Sequence, residues 1–264
     1  MFLNANPVLL VGDTHQDAKW LNEVVLPMAG TNEVEAVVVL GDFGYWDNDS
    51  EFLRSARDSK TTHGVDVWFI DGNHENHALL RADASKAAGG EVAPRVPLNL
   101  GGSLYYLPRA SVVRVGELLV GCLGGAVSID RFERVEGVSW FSEETITDAD
   151  IAAAKSLGAV DVMLTHDAPS RWHISTGTRD DELPMKRRIQ LAAIASHRRD
   201  LRSAYEAMTP SMLVHGHYHV FYDEFVGESW GDVNVVGLAP SGAKDNARVL
   251  RSVAGAAHLV VPPY

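Results

Sequence analysis

Cysteine is nearly absent from this sequence, and so are long apolar runs. The one cysteine among 264 residues, Cys122, lies in the apolar run 118–123, so an intrachain disulfide and a zinc site built on several thiolates are both excluded. Its neighbours predict a buried small side chain rather than a nucleophile. No apolar run is long enough to cross a bilayer, and residues 1–11 lack the basic start and cleavage pattern of a signal peptide. These absences favour a cytoplasmic protein.

Positive charge is also scarce. The chain has 23 Lys and Arg against 35 Asp and Glu, which gives a formal net charge of -12. Extended nucleic acid and anionic membrane surfaces attract clustered Lys and Arg, so we expect neither as a partner. A small phosphate ester is still compatible as a substrate, because bound metal ions can supply positive charge locally. The oligomeric state stays open.

The pattern of apolar runs predicts one α/β domain over residues 1–264. No repeat, low-complexity tract or Pro/Ser-rich linker divides the chain. Short runs rich in β-branched residues predict buried strands at 8–11, 36–40, 65–70, 118–123, 160–164 and 212–214. Helix-like stretches fall at 18–28, 51–61, 75–88 and 182–208. Because strand-turn-strand patterns also occur at 103–122 and 220–261, we expect a pair of mixed sheets flanked by helices.

Polar residues of metal-ligand type follow five of the predicted strands. Ligands of open α/β sheets bind beyond the carboxyl ends of strands, so these residues are expected to meet. The five segments are Gly12-Asp13-Thr14-His15, Gly41-Asp42, Gly72-Asn73-His74-Glu75, Thr165-His166 and Gly216-His217-Tyr218-His219.

The chemistry of these residues predicts a site for two metal ions. Carboxylate oxygens with neutral imidazole suit Mn, Fe, Co, Ni or Zn, and about seven ligands are too many for one tetrahedral ion. Each residue alone has an ordinary structural explanation. Asp13 or Asp42 could cap a helix, Asn73 could belong to a turn, and His166 could be a structural histidine. Five compatible segments in order favour the metal site.

These five segments resemble the signature blocks of the calcineurin-like metallophosphoesterase superfamily, and they extend from residue 12 to residue 219. The run 124–131, Gly-Gly-Ala-Val-Ser-Ile-Asp-Arg, is similar to a subset of bacterial and phage-type members. The resemblance implies a four-layer α/β/β/α sandwich. It also implies two divalent ions, with Mn2+ a common activating ion.

The resemblance also implies roles for individual residues. One ion would be held by Asp13, His15 and His219, and the other by Asn73, His166 and His217. Asp42 would bridge the two ions, and a hydroxide between them would attack the phosphorus atom. His74 would bind the phosphate or protonate the leaving alkoxide, with Glu75 as the residue that orients it.

The substrate is less well defined by the sequence. The residues after Asp42 and the final Gly-His-x-His block resemble diesterases more than protein phosphatases, which favours a phosphodiester, with 2′,3′-cyclic nucleotides as one candidate. Arg131 is suited to contact the substrate phosphate, although a solvated surface arginine explains it equally well. A nucleotide-directed phosphomonoesterase would also fit the sequence, and a non-catalytic metal-binding scaffold fits it less well.

Overall fold

Two mixed β-sheets lie face to face between two layers of helices. The computed structural model describes residues 5–170 and 184–263. Side chains alternate between the two faces of each strand. A central strand therefore contributes to the core between the two sheets and also to the core between its own sheet and the helices. In the first strand, for example, Val8 and Leu10 face the opposite sheet, whereas Leu9 and Val11 face a helical layer.

The first sheet has seven strands. They are β1 (Val8–Val11), β2 (Ala36–Leu40), β3 (Asp66–Ile70), β4 (Leu98–Asn99), β5 (Leu104–Tyr106), β12 (Ala247–Val253) and β13 (Ala256–Val260). Their order across the sheet is β13-β12-β1-β2-β3-β5-β4. Strands β1, β2, β3 and β5 are parallel to one another, and the three others are antiparallel to their neighbours.

The second sheet has six strands. They are β6 (Ser111–Val115), β7 (Leu118–Leu123), β8 (Val162–Thr165), β9 (Met212–His215), β10 (Tyr222–Glu228) and β11 (Gly231–Gly237). Their order across the sheet is β10-β11-β9-β8-β7-β6. The four central strands are parallel, and the strand at each edge is antiparallel to its neighbour.

Helices cover the outer face of each sheet. Those against the first sheet are α1 (Ala18–Trp20), a π-helical turn (Leu21–Val25), α2 (Leu26–Thr31), α3 (Glu51–His63) and α4 (His77–Ala87). Those against the second sheet are α5 (Asp148–Ser156) and α6 (Met185–Met208). No described helix is long and apolar enough to cross a membrane.

One apolar core lies between each sheet and its helices. A third core lies between the two sheets and is formed almost entirely by their inward-facing side chains. Cys122 lies in it and is fully buried, as the sequence predicts, and burial raises the pKa of its thiol to about 12. The predicted α/β class, with two mixed sheets flanked by helices, is confirmed.

Candidate metal centre

The first group of converging side chains combines loops from both sheets. Asp13 and His15 follow β1, and His219 lies beyond β9. The His219 Nε2 atom is 3.0 Å from Asp13 Oδ2 and 3.1 Å from His15 Nε2. These three residues can offer ligand atoms that all lie within 4.8 Å of one another. The arrangement can hold one metal ion.

The second group lies beside the first and is more deeply buried. It consists of Asp42 after β2, His166 after β8 and His217 after β9, again with ligand atoms within 4.8 Å of one another. The His166 Nδ1–H donates to the Leu40 carbonyl at 2.7 Å, so Nε2 is the ring nitrogen that faces the ligand group and can bind a metal. Asn73 joins this group, because its Oδ1 is 3.1 Å from His166 Nε2.

Asp42 lies between the two groups. Its Oδ1 is 3.2 Å from His166 Nε2, and its Oδ2 is 3.9 Å from His15 Nε2. One carboxylate therefore faces both groups, the position that a bridging ligand requires. All seven predicted ligands come together at this edge of the sheets, while their role in binding metal stays a prediction.

The backbone is unusually bent where these side chains converge. Four of the seven have positive φ angles: 46° at His15, 45° at Asp42, 72° at His217 and 58° at His219. Asp and His tolerate this left-handed conformation better than most residues, but at a cost that the surrounding structure must offset. Gly41 allows the close approach, since a Cβ there would lie 2.3 Å from His166 Nδ1.

The electrostatics of the site fit a cation. Asp13 and Asp42 are buried, and within the described residues the ion-pair partners recorded for them are histidines rather than Lys or Arg. Burial alone would raise the pKa of Asp42, but His166 and the other nearby histidines lower it well below its usual value. Burial likewise opposes the protonation of His166, yet the carboxylates raise its pKa to about 10. Two buried carboxylates whose ion-pair partners are imidazoles, which can give up their protons, match the charge of divalent ions.

His74 lies at the edge of the centre, outside both groups. Its backbone N–H donates to Asp42 Oδ1 at 2.7 Å, and its ring packs edge-on against His15 with centroids 5.1 Å apart. Nη2 of Arg134 lies 2.8 Å from His74 Nε2. Burial and the Arg134 charge lower the pKa of His74, and Asp42 opposes them.

A sequence profile of the calcineurin-like phosphoesterases matches residues 6–221. The chain belongs to this family. The family resemblance seen in the sequence is thereby confirmed, and the similarity of residues 124–131 to bacterial and phage-type members stays a prediction. The family depends on two metal ions, so membership supports metal-dependent hydrolysis of a phosphoester. The matched region contains all seven predicted ligands.

Solved structures agree on the fold. A dimetal phosphatase from Danio rerio, LOC 393393, gives a TM-score of 0.57 at 12% identity over 94% of this chain and 93% of that chain. The protein TT1561 of Thermus thermophilus gives 0.54 at 11% identity over 97% of this chain and 98% of that chain. Identities this low show the phosphoesterase fold alone. Comparison with curated proteins gave no significant match.

The hydrogen bonds of Glu75 go to the loop of Asp42, while its predicted role of orienting His74 stays a prediction. Its buried carboxylate accepts hydrogen bonds from the backbone N–H groups of Phe43, Gly44 and Tyr45 at 2.6–2.8 Å and, at 3.4 Å, from that of Gly72. Both oxygens are therefore directed to the loop that carries Asp42. Burial and the Asp42 carboxylate raise the pKa of Glu75 to about 8, against the lowering effect of the backbone N–H groups.

Arg131 packs against aromatic rings. Its guanidinium lies over the Trp140 ring, with Cζ 4.2 Å from the ring centroid, and the side chain is exposed. Arg134, three residues later, is the arginine that contacts His74, and it also pairs with Asp130 at 2.8 Å. Arg134 cannot be identified from the sequence, because nothing in residues 130–134 indicates which arginine faces the centre.

Hydrogen bonds connect the loop after β8, which carries His166, to the loop after β9, which carries His217 and His219. Asp167 Oδ1 accepts hydrogen bonds from the Ala168 N–H and from the Tyr218 hydroxyl, so it ties the loop after β8 to the loop of His217 and His219. His215 is buried, and its two ring nitrogens pair with the Gly216 carbonyl and the Tyr222 hydroxyl. These contacts fix the loop positions from behind the ligands.

Proposed function

We propose that this phosphoesterase hydrolyses small phosphodiesters with two divalent ions, of which Mn2+ is our first choice. Asp13, His15 and His219 would hold one ion. Asn73, His166 and His217 would hold the other, and Asp42 would contact both. When bound, such ions acidify water and neutralise charge on phosphoryl oxygens. The observation that carries the proposal is the position of Asp42 between two groups of ligand-type side chains.

His74 and Arg134 are the proposed substrate contacts from the chain itself. The backbone N–H of His74 donates to Asp42, and its ring contacts His15 and Arg134, so the ring is held beside the ligand groups. There it can hydrogen-bond a phosphoryl oxygen or give a proton to the leaving alkoxide. Arg134 adds a fixed positive charge with N–H donors suited to phosphate oxygens.

The charge beside His74 favours a diester. A phosphodiester carries one negative charge, whereas a monoester carries up to two near neutral pH. In the described part of the chain, Arg134 is the arginine that contacts His74, and Arg131 is directed to Trp140. The net charge of -12 supports a small ester rather than extended nucleic acid as the partner. The cytoplasmic location stays part of the proposal.

A pair of chromogenic esters tests the proposal. With Mn2+, the purified protein should hydrolyse bis(p-nitrophenyl) phosphate with a higher kcat/KM than p-nitrophenyl phosphate, and EDTA should abolish both activities. A higher kcat/KM for the monoester would mean that the protein is a phosphomonoesterase rather than a diesterase. Full turnover by metal-free protein would overturn the metal mechanism. A panel of 2′,3′-cyclic nucleotides, dinucleotides and nucleoside monophosphates, each with Mn, Fe, Co, Ni and Zn, would then define substrate and ion.

A further inference from the structure

Ser128 is held by hydrogen bonds at all of its polar atoms. Its backbone N–H donates to Glu144 Oε1 at 2.7 Å, and its hydroxyl donates to Glu144 Oε2 at 2.6 Å. Its carbonyl oxygen accepts from the side-chain amide of Gln190. Ser128 and Glu144 are both buried, at 1% and 0% exposure, so this serine has one fixed position. It belongs to the glycine-rich run 124–131, to which the proposed mechanism gives no role.

The fixed Ser128 hydroxyl contacts Asn73. Asn73 Nδ2 donates to Ser128 Oγ at 3.1 Å, while Asn73 Oδ1 points toward His166. A side-chain amide has an oxygen at one end and an NH2 group at the other. Only the oxygen can bind a cation, and a reversed amide would direct N–H donors at it.

Counting protons gives the direction of the amide. Burial raises the pKa of Glu144, and the hydrogen bonds from Ser128 oppose that shift. The ionised Glu144 carboxylate accepts hydrogen bonds but cannot donate one, so in that state the Ser128 hydroxyl gives its only proton to Glu144. The remaining lone pairs of Ser128 Oγ can then only accept, which requires the NH2 end of Asn73 to face the serine. With a free hydroxyl proton, Ser128 could instead donate to Asn73 Oδ1 and stabilise the reversed amide.

We propose that Ser128 and Glu144 are positioning residues that hold Asn73 Oδ1 toward the ligand group of His166 and His217. The inference rests on the proposed function in one respect, namely that Asn73 binds one of the two ions. Neither Ser128 nor Glu144 needs to touch the ion or the substrate. Removing a hydrogen-bond partner of a metal ligand typically weakens metal binding about 10- to 100-fold.

Metal affinity, measured without substrate, tests the inference. Metal-free protein is titrated with Mn2+ in a calorimeter and against a fluorescent chelator. Ser128→Ala and Glu144→Gln should each weaken the binding of one ion about 10- to 100-fold and leave the other within about twofold. Glu144→Gln replaces one acceptor oxygen with an NH2 donor while keeping the shape, so it should fold even where Ser128→Ala does not. The matched control is Ser111→Ala, at a buried serine of β6 that lies outside both ligand groups.

Two backgrounds distinguish positioning from general loss of structure. In an Asn73→Ala background, Ser128→Ala should cause no further loss of affinity. In an Asn73→Asp background, Glu144→Gln should cost much less than in the wild type, because the two oxygens of a carboxylate are equivalent. Wild-type affinity in both single variants, or an undiminished loss in both backgrounds, would overturn the inference. A wild type that binds two ions but hydrolyses no ester would overturn the proposed function alone.

Discussion

His74 is fixed beside the ligand groups without belonging to either of them. We therefore expect His74→Ala to lower kcat for bis(p-nitrophenyl) phosphate by roughly 10²- to 10⁴-fold, the usual range for a residue that transfers a proton, while two ions stay bound. Steady-state kinetics and elemental analysis of the same sample check both parts. His63→Ala, at an exposed histidine at the end of α3, is the control and should behave as wild type. Full turnover in His74→Ala would contradict the role.

Arg134 and Arg131 make a direct test of the substrate contact, because they are three residues apart and differ in orientation. A hydrogen bond to a charged group is worth about 1.5–3 kcal/mol, so Arg134→Ala should lower kcat/KM roughly 10- to 100-fold. Arg131→Ala should change it less than about threefold, since its guanidinium stacks on Trp140. A larger loss of kcat/KM in Arg131→Ala than in Arg134→Ala would mean that Arg131 contacts the substrate.

Glu75 stabilises the loop that carries Asp42 through backbone hydrogen bonds. Glu75→Gln puts an NH2 donor where Gly44 and Tyr45 direct their own N–H groups. Leaving buried donors unpaired costs about 1–3 kcal/mol each, so the free energy of unfolding of the metal-free protein should fall by about 2–6 kcal/mol. Urea unfolding measures it, with the exposed Glu35→Gln as control. If Glu75 instead acted mainly on His74, turnover would fall while stability stayed unchanged.

Helix α5 begins at a charged cluster. Thr147 and Asp150 form a reciprocal capping box, and Asp150 also pairs with Arg95 at 2.6 Å. Burial alone would raise the pKa of Asp150, but Arg109, the Thr147 N–H and Arg95 lower it to about 2. The folded state therefore favours the ionised carboxylate of Asp150.

This shift predicts how stability depends on pH. An unfolded aspartate has a pKa of about 3.9, so the contribution of ionised Asp150 is complete above pH 4 and is lost as the pH falls toward 2. Asp150→Asn should lower the free energy of unfolding by about 1–3 kcal/mol at pH 6, and the difference from wild type should shrink between pH 4 and pH 2. Urea unfolding at several pH values checks this, with Asp148→Asn, at an exposed position of the same turn, as control. A constant difference would contradict it.

The elements themselves are well predicted from the sequence, and the contacts between loops are not. Buried strands such as Ala36–Leu40 are short apolar runs that end at a polar residue or a glycine. The order of apolar and polar residues therefore predicts where these strands begin and end. The ligands directly after the strands are predictable for the same reason. Arg134, Ser128 and Glu144 lie in irregular segments and short turns without hydrophobic period, and their partners are distant in sequence, so no local pattern indicates them.

The candidate metal centre joins the two sheets. Asp13 and Asp42 follow strands of the first sheet, whereas His166 and His217 follow strands of the second. Without bound ions, the buried carboxylates in this junction depend on histidines for compensating charge. Ions bound there would contact both sheets at once, so metal binding and the stability of the whole fold should be linked.

We therefore expect Mn2+ to raise the melting temperature. An ion present at 100 times its Kd adds about 2.7 kcal/mol to the folded state, which for a chain of this size corresponds to roughly 5–10 °C. Scanning calorimetry of metal-free protein with increasing Mn2+ measures the shift, and EDTA should reverse it. Asp42→Asn should lose most of the shift because Asp42 faces both ligand groups, whereas His63→Ala should keep it. An equal shift in Asp42→Asn and wild type would mean that the stabilising ions bind outside this centre.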